Sequence, residues 1–190
     1  MNVSMRRLIR HGFPPLVLLL GSAAGARAQV NSTTATVALT ATLSEAVTVS
    51  VTPTAMTFAL VAGGTANGSV PVAVTTTWVT ATSRANLVLD AYFTTASAAL
   101  TTAGPPVVNI PSSEVLGQMT TGTPTSYTAF TQTAAFGPTG GGLTLYTVAL
   151  TSSNRSGTRT DNLTLQINLT GTQIPAATYT GTMYLQAQAL

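Results

Sequence analysis

The strongest constraint in this chain is a period of two. Between residues 33 and 43 the apolar side chains fall on alternate positions, Ala35, Val37, Leu39, Ala41 and Leu43, with mostly threonine between them. That spacing gathers the apolar groups on one face of an extended strand, whereas in a helix it would scatter them around the axis. The pattern returns at Val47, Val49 and Val51, and again at Met56, Phe58 and Leu60 beyond Pro53. It recurs at Val70, Val72 and Val74 in phase with Trp78, at Leu87, Leu89, Ala91 and Phe93, and at Leu163, Leu165, Ile167 and Leu169. A last run aligns Tyr179, Gly181, Met183, Leu185, Ala187 and Ala189. No segment of useful length carries the helical period. The chain contains 38 threonines, none before Thr33; a β-branched residue with one methyl and one hydroxyl suits the solvated face of a pleated sheet.

Turn signals separate these runs: Gly63-Gly64, Asn67-Gly68 and Gly140-Gly141-Gly142. Further strands are expected around residues 127–133 and 143–151. Residues 101–124, rich in Gly, Pro, Ser and Thr, read as a long connection between sheets with a short helical turn at 112–116. Eight to ten short strands without a dividing linker predict an all-β chain, a single Ig-like antiparallel β-sandwich over residues 29–190.

The N-terminus has a different character. Arg6, Arg7 and Arg10 precede an apolar run at residues 16–20, and Ala26-Arg27-Ala28 supplies the small residues of a signal-peptidase site. Residues 1–28 are therefore expected to be a cleaved signal peptide. The apolar run is too short to span a bilayer, so no membrane span is expected in the mature chain. Export implies an extracellular, cell-surface or periplasmic location. The chain's formal charge of +3 owes its sign to this leader, which holds Arg6, Arg7, Arg10 and Arg27 and no acidic residue. Beyond it stand Arg84, Arg155 and Arg159 against Glu45, Asp90, Glu114 and Asp161, a net charge of −1. Binding to a nucleic-acid backbone loses its electrostatic basis.

Catalysis is restricted by inventory. The chain has no cysteine or lysine, and its one histidine, His11, lies in the leader. Imidazole bases, thiolate nucleophiles and thiolate or imidazole metal sites are thus unavailable to the mature chain. The four carboxylates are well separated in sequence, with Asp161 placed to meet Arg159 as an exposed ion pair. We expect no enzyme, no cofactor and no metal site. Thr-x-Thr pairs beginning at Thr34, Thr40, Thr52 and Thr75 keep no fixed interval, which excludes a threonine-faced solenoid.

Two kinds of contact surface remain. The strand carrying Ala35, Val37, Leu39 and Ala41 opens the mature chain and is suited to add to a neighbour's sheet, with alternate side chains entering an acceptor groove; it is equally suited to be the first strand of its own sheet. Partners would then be further copies or sister surface subunits. Alternatively, Trp78, Tyr92 and Tyr146 offer a stacking platform for a glycan, although a tryptophan in phase with Val70, Val72 and Val74 also suits a core.

The segment Ile174-Pro175-Ala176-Ala177-Thr178-Tyr179-Thr180-Gly181-Thr182 and the alternating strand after it resemble the closing hairpin of secreted bacterial β-sandwich modules, similar to spore coat protein U-like and chaperone-usher fimbrial domains. Thr75-Thr76-Thr77-Trp78 and Ala91-Tyr92-Phe93 are similar in style to exported proteins of environmental bacteria. Many members of those families carry paired cysteines, which this chain lacks. The resemblance implies a secreted coat, fibre or pilus-like structural component, with a monomeric carbohydrate-binding or adhesion module as the alternative.

Overall fold

The computed structural model describes residues 30–190; the expected signal peptide lies outside the described residues. The chain divides into two units, ending and beginning at Ala41 and Thr42. In the first, residues 30–41 form neither helix nor strand and are exposed throughout. The strand expected over 33–43 is therefore not formed. Val37 is 81% exposed and Leu39 90%, and no ladder supplies hydrogen-bond partners that would hold the segment as a strand.

The second unit is all-β, with antiparallel sheets. Its strands are β1 (Ala46–Thr52), β2 (Thr65–Asn67), β3 (Val72–Val79), β4 (Asn86–Tyr92), β5 (Leu100–Thr102), β6 (Asn109–Ile110), β7 (Val115–Met119), β8 (Thr128–Ala129), β9 (Gly142–Ala149), β10 (Ser156–Asn168), β11 (Tyr179–Thr180) and β12 (Tyr184–Ala189). A six-stranded sheet runs β1-β3-β10-β7-β8, with β2 paired to the far end of β10. Two three-stranded sheets run β12-β4-β9 and β11-β5-β6.

Alternation sets which face is buried. Val72, Val74, Thr76 and Trp78 of β3 and Leu163, Leu165 and Ile167 of β10 point inward. All of these but Thr76 belong, with Leu87, Leu89 and Ala91 of β4 and Leu143 and Leu145 of β9, to one hydrophobic cluster. Each buried Val, Leu or Ile among them contributes about 1.5–3 kcal/mol by leaving water. On the opposite face threonines meet across the strands: the Thr75 and Thr160 hydroxyls lie 2.8 Å apart and those of Thr77 and Thr158 3.1 Å. A register shift between Leu89 and Asp90 leaves the sequence neighbours Leu145 and Tyr146 both buried.

The connection expected over 101–124 is corrected in part. It contains β7, which pairs β10 on one side and β8 on the other. Its inward positions are Val115, Gly117 and Met119. The helical turn shortens to a 3-10 turn at Ser112–Glu114.

Candidate functional site: an open apolar groove

Among the strands with a single ladder partner, three border the same side of the core. β1 pairs only β3, β11 only β5, and β12 only β4. At one end β1 and β12 lie beside each other, where Ala189 shares a shallow hollow with Ala46 and Val47. At the other end the chain leaves β1 at Pro53, which has no N–H to continue a ladder. Residues 53–62 then run without regular pairing, held by one bridge between Phe58 and Gly68. Opposite them lies the segment that resembles a closing hairpin. Tyr179 donates its hydroxyl to the Pro175 carbonyl at 2.9 Å, fixing the approach to β11. Gly181 then passes against the Ala99 carbonyl so closely that any side chain would collide with it. That crossing carries the chain from the β11 sheet to the β12 sheet.

Between these borders lies a groove of two hollows, about 730 and 310 Å³, which share Met56, Phe58, Leu100, Ile167 and Gly181. The smaller hollow reaches the otherwise buried Val72, Phe93, Val115 and Leu165. No charged side chain lines either one. The residues that could mark this site in the sequence, Met56, Phe58 and Leu60, read there as a strand of their own.

The glycan platform is not assembled as expected. Trp78 is 7% exposed and donates its indole N–H to the Asn154 carbonyl at 2.9 Å, its ring covering Gly157. Tyr146 is 2% exposed. Both rings therefore belong to the core, because their positions in β3 and β9 face inward. Tyr92 alone reaches the surface. It stacks on Tyr184, its cross-strand partner, at 5.6 Å and on Phe136 at 6.3 Å, and donates its hydroxyl to Gln186. Phe136 carried no periodic signal, since it sits in a loop turned by Gly137 at φ 83° against the Tyr92 ring.

The charges also depart from expectation. Asp161 is buried, bonded to Arg159 and to the Thr121 hydroxyl. The Arg159 guanidinium lies 4.5 Å from the centre of the Tyr146 ring. Burial works to raise the Asp161 carboxyl; the Arg159 and Thr121 hydrogen bonds and the Arg159 charge prevail and leave it below its ordinary value. At the surface, hydrogen bonds from Arg84 and then from the Ala81 N–H bring Glu45 down to about 2. Asp90 accepts from Thr144 at 2.7 Å.

Ala35, Val37, Leu39 and Ala41 stand exposed and unpaired. Among the described residues, no group of three or more His, Cys, Asp or Glu is placed to hold a metal ion, and no helix is long and apolar enough to cross a membrane. Comparison with protein-family models, curated proteins and solved structures finds no match to this chain.

Proposed function

We propose that this protein is an exported structural subunit of a cell-surface or extracellular assembly, a coat, fibre or pilus-like polymer, and that copies join by β-strand addition. In this reading residues 1–28 are a cleaved signal peptide. The six-stranded and three-stranded sheets are the layers of one Ig-like sandwich over the rest of the chain. The observation that carries the proposal is the exposed run Ala35, Val37, Leu39, Ala41 and Leu43: an alternating, uncharged strand pattern left without a sheet. Exposed apolar groups at that density are costly in water, and an unfilled sheet edge elsewhere can cover them. The nearly neutral composition adds little repulsion between copies.

Deleting residues 29–42 and measuring particle size tests it. The full mature chain is expected to form ordered assemblies, and the deletion to leave a folded monomer with the Trp78 fluorescence of the parent. Unchanged assembly would remove the donor role. A second reading, a glycan-binding module, draws on the Tyr92, Tyr184 and Phe136 stack, half-exposed on a neutral sheet face. A monodisperse full-length chain that binds glycans would favour it.

A further inference from the structure

We propose that Tyr92 and Tyr184 are an oxidative coupling site, at which a peroxidase using hydrogen peroxide joins the two rings into a dityrosine and staples β12 to β4. The site is independent of how copies join.

The strand register makes the pair. Tyr184 opens β12 and stands directly opposite Tyr92, the last residue of β4, so both side chains leave the same face of the sheet. Their ring centres lie 5.6 Å apart, with the planes 21° from parallel. The Tyr92 ring is held in place. Phe136 stacks on it at 6.3 Å, Gly137 passes against it so closely that a side chain would collide, and its hydroxyl donates to Gln186 Oε1 at 3.3 Å. Tyr184 is 44% exposed, which opens it to an oxidant in solution. One partner is fixed and the other accessible, as the coupling of two short-lived radicals requires. The remaining tyrosines lack one condition or the other. Tyr146 is buried, and Tyr127 and Tyr179 stack on no other ring among the described residues.

Peroxide balances the reaction. Each phenol gives up one hydrogen atom, the peroxide O–O bond breaks and two waters form. The phenoxyl radicals share their unpaired electron with the ring carbons beside the oxygen, and one C–C bond forms between a Cε of each ring. The hydrogens on those two carbons then move to the oxygens and restore both phenols. The chain has no cysteine to supply a disulfide, and β12 is laddered only to β4. A dityrosine here closes a covalent loop over residues 92–184 and constrains the unfolded chain as a disulfide does.

The arginines beyond the leader make the product readable. Trypsin cuts after Arg84, Arg155 and Arg159, which places Tyr92 in residues 85–155 and Tyr184 in residues 160–190. The mature chain is treated with a haem peroxidase and hydrogen peroxide and run on a denaturing gel, and the monomer band is digested for mass spectrometry. Dityrosine fluorescence is expected in that band, with one joined species of the two peptides that is two hydrogen atoms lighter than their sum. The oxidised chain is expected to melt several degrees above the untreated one. Tyr92→Phe and Tyr184→Phe keep the ring stack and lose the phenol; each is expected to abolish the joined species, whereas Tyr179→Phe leaves it. A joined species that survives Tyr184→Phe, coupling confined to dimer bands, or no coupling at all overturns the site, and coupling without a rise in melting temperature overturns the staple.

Discussion

Asp161 illustrates how phase decides a residue's fate. It shares parity with Leu163, Leu165 and Ile167, so β10 carries it to the core-facing side, where Arg159 and Thr121 meet it. That parity is readable in the sequence, whereas the approach of Thr121, 40 positions away along the chain, is not. Both Asp161 and Glu45 have folded-state pKa values below their ordinary ones. When a carboxyl's pKa is lower folded than unfolded, its stabilisation is complete above the unfolded value and is lost as pH falls through the folded one. Melting temperature followed by Trp78 fluorescence is therefore expected to hold from neutral pH down to about 5 and to fall below the ordinary carboxylate range near 4. Asp161→Asn should lower the neutral-pH melting temperature and flatten the acid limb, and an acid limb identical to the parent's would show that the Arg159 pair contributes nothing.

Among the elements, β7 was hidden by its glycine. Gly117 reads as a strand breaker in a stretch already rich in turn residues, yet β7 sits between β10 and β8. A side chain there would begin 2.9 Å from Leu143 Cδ2 and 3.3 Å from Leu163 Cδ1 and Phe130 Cε2, so glycine is a packing requirement imposed by residues far away in sequence. Gly117→Val should cost about 1–3 kcal/mol of stability through overpacking, measured by urea unfolding. The converse error concerns residues 33–43, whose alternation is as clean as that of β1. A period of two specifies which face is apolar but carries no information on which sheet supplies the ladder. Strands such as β3 and β4 were legible from their own alternation, although β3 pairs β1 and β10 and β4 pairs β9 and β12, while the groove, formed where 53–62 and 174–185 face one another, was not. The aromatic surface was half legible for the same reason: Tyr92 was read and Phe136, on its loop, was missed.

For the whole molecule, charge is the simplest discriminator. Beyond residue 28 only seven charged side chains remain, and none lies in the groove or in residues 30–44. Assembly by apolar strand addition should then survive a change from about 0.01 M to about 1 M salt, over which the screening length falls from roughly 30 Å to 3 Å. Sedimentation velocity across that range would show it, and dissociation at high salt would indicate an ionic contact instead. The pairing of β1 with β3 also has a mechanical meaning. All seven residues of β1 are registered against β3. In a filament whose copies are joined through residues 35–43, tension would enter the domain just ahead of Ala46, at the start of that strand. A pull along the strand axis would load the whole ladder in shear, so its hydrogen bonds would share the force, whereas a sideways pull would unzip them one at a time.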